Sequence, residues 1–73
     1  MYLTAGSIGN HYEIEQLELE GTILRRLQAL GLTVGTRIHV LNNKKGGSVI
    51  FMVRGTRLAT GKKIADKIRI KEA

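Results

Sequence analysis

Apolar and polar positions alternate along most of the chain, and the breaks in that alternation mark its elements. Tyr12-Glu13-Ile14 has the period of a half-buried strand. The phase slips at Glu15-Gln16, and Leu17 and Leu19 resume one position out of step, which predicts a bulge or bend that curves this first strand. From Thr22 the period becomes helical: Ile23, Leu24, Leu27 and Leu30 share one face, while Arg25, Arg26 and Gln28 lie outside it. The spacing predicts one amphipathic helix over residues 22–30, about three turns long, anchored to the core by those four aliphatic residues. Gly31 is placed to take the left-handed conformation that ends a helix, with Leu32 folding back onto the last turn.

Thr33-Val34-Gly35-Thr36 reads as a turn in which Gly35 supplies a positive φ. Arg37-Ile38-His39-Val40-Leu41 alternates as a strand, Asn42 to Gly47 is a polar hairpin loop, and Val49-Ile50-Phe51-Met52-Val53 returns as a strand whose apolar run predicts burial on both faces. Arg54-Gly55-Thr56-Arg57 makes a turn into Leu58-Ala59, a helical turn near 62–66 follows, and Lys67-Ile68-Arg69-Ile70-Lys71 closes the chain with clean alternation. Short strands, glycine at the corners and one interrupting helix predict a mainly β fold: a small, strongly curved antiparallel barrel with an inserted helix, filling residues 1–73 as a single domain.

At 73 residues the chain holds one small core, and a separate cofactor domain has no room. Twelve Lys and Arg against six Asp and Glu give a net charge of +6, so an anionic or electronegative partner becomes plausible. The charge is unevenly placed: Glu13, Glu15, Glu18 and Glu20 precede Gly21, and all the lysines and arginines follow it. With no cysteine there is no disulfide, thiolate metal site or cysteine nucleophile, and a reducing, cytosolic setting is expected. No stretch approaches the roughly 18 apolar residues of a membrane span, and the start of the chain lacks the regions of a signal peptide, so a soluble protein is expected.

The run Arg26-Leu27-Gln28-Ala29-Leu30-Gly31-Leu32, followed by Gly35 and Ile38-His39-Val40, resembles the signature of the FeoA family, small accessory proteins of bacterial ferrous-iron uptake. The resemblance extends through Tyr12-Glu13-Ile14, the Gly46-Gly47 hairpin, Val53-Arg54-Gly55, Leu58-Ala59 and Ala65-Asp66-Lys67-Ile68-Arg69-Ile70, nearly the whole chain. Val34 stands where the family often has proline, and Thr60 where it has an apolar residue. The resemblance implies an SH3-like barrel and a cytoplasmic, non-enzymatic protein without cofactor. Its implied partner is the ferrous-iron transporter FeoB, through a cytosolic GTP-binding domain or the membrane core. Any membrane association then runs through the transporter at the inner face of the plasma membrane. Similar domains end iron-dependent repressors, but 73 residues leave no room for a DNA-reading helix-turn-helix.

Side chains that carry chemistry are few. His11, Glu13 and Glu15 are spaced to share a strand face and offer imidazole and carboxylate ligands of the kind ferrous iron takes. The slip at Glu15-Gln16 disturbs that spacing, and a solvated strand face is the better reading. His39 stands alone between Ile38 and Val40, so no metal site is assigned. Glu18 and Glu20 precede the helix, where negative charge favours its N-terminus. Gly55 to Lys63 superficially resembles a phosphate loop, but five residues separate Gly55 from Gly61 and Lys63 stands where Ser or Thr would hold magnesium. No nucleophile, base and acid fall into a catalytic order, so no catalytic residue is assigned.

The basic residues remain. Arg25 and Arg26 on the helix, Lys44 and Lys45 at a hairpin tip, and Arg54 and Arg57 at the next turn are the interface candidates, with Lys62 and Lys63 nearby. Converging after barrel closure, they would form a docking face for acidic protein surface. The alternative is RNA or DNA bound through phosphate contacts. Against it stands the shortage of rings, since Tyr2, Tyr12 and Phe51 are the only aromatics.

Overall fold

The computed structural model describes residues 1–44 and 47–73, so Lys45 and Gly46 lie outside the described residues. Five strands, β1 (His11–Leu17), β2 (Arg37–Asn43), β3 (Val49–Val53), β4 (Thr56–Thr60) and β5 (Ile68–Glu72), pair antiparallel in the order β4-β3-β2-β1-β5. A 3-10 turn at Leu3–Ala5 precedes β1, helix α1 (Gly21–Ala29) joins β1 to β2, and the single turn α2 (Lys62–Ala65) joins β4 to β5.

The phase slip in the first strand is a bulge. Pairing of β1 with β5 steps from Ile14 opposite Ile70 to Gln16 opposite Arg69, so Glu15 is the extra residue. A second bulge sits in β2, where Val40 faces Phe51 and Asn42 faces Ile50, leaving Leu41 unpaired. An extra residue bends its strand and increases the local twist, and these bends curl the sheet so that its apolar face becomes an interior. Tyr12 and Ile14, Ile38 and Val40, Val49, Phe51 and Val53, and Ile68 and Ile70 all point into that interior. A curled single sheet has only one inside. Ile50 and Met52, expected to be buried as well, are therefore only half-buried on its outer face.

β2 runs to Asn43, beyond the expected strand end. Asn43 Nδ2 donates to the carbonyls of Thr4 (3.1 Å) and Gly6 (2.7 Å), which fastens the N-terminal segment to the strand. That segment belongs to the core: Leu3 is fully buried, and the Ile70 N–H donates to the Met1 carbonyl at 2.7 Å. β3 and β4 meet in a two-residue hairpin, with Arg54 at φ 49° and Gly55 at φ 78°, the paired positive angles that match strand twist. Thr56 and Arg57 thus open β4 rather than extending the turn.

Helix α1 ends as its sequence predicts. The Gly31 N–H donates to the Gln28 carbonyl and the Leu32 N–H to the Leu27 carbonyl, both at 3.0 Å, and Leu32 is fully buried. This is the Schellman arrangement, with Gly31 at φ 99°. A Cβ on Gly31 would also lie 2.7 Å from Arg54 Cδ. In the following turn the Thr36 N–H donates to the Thr33 carbonyl, with Gly35 at φ 89°. Of the four expected anchors, Leu27 is 8% exposed and Leu24 half-buried, whereas Ile23 and Leu30 are 45% and 42% exposed.

Leu27→Ala is expected to cost about 2–5 kcal/mol in denaturant unfolding, and Leu30→Ala less than about 1 kcal/mol because its side chain is already in water. Gly31→Ala should lose about 1–2 kcal/mol from its left-handed backbone. Equal losses for Leu27→Ala and Leu30→Ala would contradict this packing.

Candidate docking site

The residues that carry chemistry in the sequence are drawn into structural roles. Glu13 lies 3.8 Å from Lys71, and Glu15 is the bulge residue of β1. His11 meets neither of them as a ligand partner. It stacks on His39 across the β1–β2 ladder, the ring centroids 4.2 Å apart and the planes 10° from parallel. Val40 donates to the Asn10 carbonyl and Ile14 to the Thr36 carbonyl. By the alternation of an antiparallel ladder, His11 and His39 therefore oppose each other at a position without mutual backbone bonds, where side chains approach most closely. Sequence reading left His39 alone because the partner is supplied by register. Desolvation in the stack, then the neighbouring charges of His39 and Arg37, lower the pKa of His11 below the ordinary imidazole value. Among the described residues, no group of three or more His, Asp and Glu is placed to hold a metal ion.

Glu18, expected to serve the helix N-terminus, instead accepts from the Tyr2 hydroxyl (2.8 Å) and from Arg69 (3.1 Å). Asp66 accepts from the Thr4 hydroxyl at 2.8 Å and from Lys62 at 3.3 Å. Those partners, Thr4 foremost, hold its carboxyl below the usual carboxylate range. The segment resembling a phosphate loop is hairpin, strand and a four-residue helix, with no long helix to complete the motif.

What remains unpartnered is a groove. It runs between α1 and β4 towards α2, encloses about 210 Å³, and is lined by Ile23, Leu27, Leu30, Leu58 and Ile64, with Arg26 at its edge. Its cause is the rotation of α1. Leu27 is turned into the core while Leu24 is only half-buried, which leaves Ile23 and Leu30 exposed along the groove wall. Thr60, one of the two departures from the family pattern, is 4% exposed on this wall. Its hydroxyl has no hydrogen-bond partner among the described residues. Ile23 also lines a second depression of about 330 Å³ with Glu18, Leu19, Glu20 and Lys67. Periodicity marked Ile23 and Leu30 as apolar, but nothing in one dimension distinguishes a stripe that is covered from one left open.

The basic candidates do not share one surface. Arg26 lines the groove, while Arg25, one residue earlier on the helix, is turned about 100° away. Arg54 lies across the helix end, its Nε donating to the Gly31 carbonyl at 3.3 Å. Arg57 is exposed on β4. Lys44 is exposed beyond the opposite end of β3, separated from Arg54 by the length of that strand. Lys62 and Lys63 flank the α2 end of the groove.

A sheet curled into a small barrel, half-closed by one helix, defines the SH3-like class of small β proteins. The chain belongs to the FeoA domain family, whose model matches residues 1–72. It is 26% identical over 65 residues to a Methanocaldococcus jannaschii protein provisionally named Fe(2+) transport protein A, covering 89% of this chain and 78% of that one. A crystal structure of an iron uptake regulatory protein, FeoA, superposes with a TM-score of 0.85 at 30% identity, covering 100% of this chain and 97% of that one. The solution structure of iron(II) transport protein A from Clostridium thermocellum gives 0.88 at 22% identity, and this chain spans 45% of it. A manganese-dependent transcriptional repressor also contains the fold, with a TM-score of 0.88 at 17% identity over 41% of its chain.

The stack disfavours a proton on His11, so the unfolded chain takes up that proton more readily just below the ordinary imidazole value, and stability falls as pH drops through that range. An NMR titration should place the His11 midpoint below that of an isolated histidine, and His39→Gln should move it back up. An unmoved midpoint would mean that the stack does not govern the titration.

Proposed function

We propose that this protein is an accessory protein of ferrous-iron transport that acts from the cytosolic side by docking onto the FeoB transporter, without catalysing a reaction itself. Membership of the FeoA family supports the transport role, and the Fe(2+) transport name of the M. jannaschii relative agrees with it. The observation that carries the docking reading is the apolar groove with Ile23 and Leu30 in water. Exposed aliphatic side chains grouped beside a cleft are a common mark of a protein contact. The imidazoles are engaged with one another, and several of the carboxylates with Tyr2, Thr4 or basic residues, which favours a scaffold over a catalyst. No helix among the described residues is long and apolar enough to cross a membrane.

The nucleic-acid reading draws on the same positive charge and loses on the rings. Tyr12 and Phe51 are buried in the core, and Tyr2 is held against Glu18 and Arg69, so no tyrosine or phenylalanine ring among the described residues is free to stack on a base.

Isotope-labelled protein titrated with the cytosolic domain of the transporter, with the whole transporter in detergent, and with mixed RNA should show a contiguous footprint around α1 and β4 with transporter only. Arg26→Glu should weaken that binding, Arg25→Glu should do so less, and both should leave thermal melting nearly unchanged because exposed charges contribute little to stability. A footprint with RNA alone at physiological salt would replace this reading with the nucleic-acid one.

A further inference from the structure

A sheet in the order β4-β3-β2-β1-β5 has two edges, and they are treated differently. The edge at β5 is covered: the Ile70 N–H donates to the Met1 carbonyl, and Tyr2 forms a bridge with Arg69. The outer edge of β4 makes no backbone hydrogen bond among the described residues. Val53 and Thr56 flank the two-residue hairpin, and such a turn makes its flanking residues a bonded pair. Bonded and non-bonded pairs then alternate along the ladder, so the N–H and C=O groups of Arg57 and Ala59 point away from β3. An open edge of this kind is a template for another strand.

The groove lies along this edge, and the pleat sorts its two sides. The pleat turns Leu58 and Thr60 inward and leaves Arg57 and Ala59 exposed, with Ala59 also bordering the groove along the strand edge. No carboxylate lines the groove, and Arg26, Lys62 and Lys63 stand on or beside it.

We propose that an extended segment of the partner adds to β4 as a sixth strand, placing aliphatic side chains into the groove between α1 and β4 and acidic side chains outward beside Arg57. Backbone bonds to Arg57 and Ala59 supply affinity, and the groove selects alternate side chains, the two components of strand addition. An aliphatic side chain entering beside Leu27 and Leu58 covers the Ile23 and Leu30 surface. A segment end or an ordered water brought close to Thr60 gives its buried hydroxyl the partner it lacks. The acidic preference follows from charge: a carboxylate opposite Arg57 is a favourable cross-strand pair, and a lysine there is repelled. The partner's identity as the transporter rests on the docking function proposed above; the site and the chemistry of its occupant do not.

The test titrates the labelled full chain separately with a short peptide alternating valine and glutamate, the same peptide with lysine for glutamate, and the whole transporter in detergent, following amide shifts and amide exchange. Occupation should protect the Arg57 and Ala59 amides and shift Leu58 and Ile64, and the lysine peptide should do neither. Ala59→Pro removes an outward N–H, a change tolerated at strand edges, and Ile23→Lys charges the groove at an exposed position. Each should weaken glutamate-peptide and transporter binding by about tenfold or more. The double variant Lys62→Ala with Lys63→Ala should reduce peptide affinity less than Ile23→Lys. Unchanged melting of Ile23→Lys separates loss of binding from loss of fold.

Transporter binding with a footprint away from β4, or with no protection of Arg57 and Ala59, overturns the strand-addition proposal and leaves the docking function standing. Peptide binding at β4 without any transporter binding upholds the site and overturns FeoB as the partner. Equal binding of the glutamate and lysine peptides overturns the acidic preference. Binding of neither peptide nor transporter overturns both proposals.

Discussion

A five-stranded sheet with one apolar face has to curl on itself before that face is shielded from water, and the rest of this molecule depends on that curvature. The two bulges supply it. Glu15 in β1 and Leu41 in β2 each add a residue that the neighbouring strand does not match, and the surplus length turns into bend and twist. Once the sheet is bent, Tyr12, Phe51 and the aliphatic residues of four strands converge on one interior. Leu3 then seals that interior from the N-terminal side. Without covalent cross-links, a chain of this size depends on such convergence for its stability.

Curling leaves an opening, and α1 covers it incompletely. Leu27 and the Gly31–Leu32 cap fasten the C-terminal half of the helix, with Arg54 laid over the cap from the β3–β4 hairpin. A helix bound mainly through one buried residue and its end leaves aliphatic surface exposed. In a protein selected for stability alone that surface would be an unnecessary cost, whereas next to an unpaired strand edge it makes a shaped, apolar recess. The free edge and the groove are two consequences of the same geometry.

Charge follows a similar division. The N-terminal third carries most of the carboxylates, and folding returns two of them to basic residues of the last strand, Glu13 to Lys71 and Glu18 to Arg69. The pairs are partly exposed and contribute little to stability, but they neutralise the β1–β5 side. The remaining basic residues are spread over several faces, with Arg26, Arg57 and Lys63 on α1, β4 and α2 and Arg37 and Lys44 on or just beyond β2.

The local sequence determined the helix, its glycine cap, the bulge in the first strand and the strand pattern, because each depends on neighbours within a turn or a pleat. The chain-long run of glycines and aliphatic residues was enough to indicate the family. Tertiary structure alone decided the rest, for reasons of distance along the chain. His11 met His39 through strand register, Leu3 became core by docking under strands far from it in sequence, and Glu18 found Tyr2 and Arg69 instead of the helix end. Whether Ile23 and Leu30 would be covered depended on how far the helix sits from β4, a separation that no periodicity encodes. The helical stripe was therefore legible in the sequence, and its exposure was not.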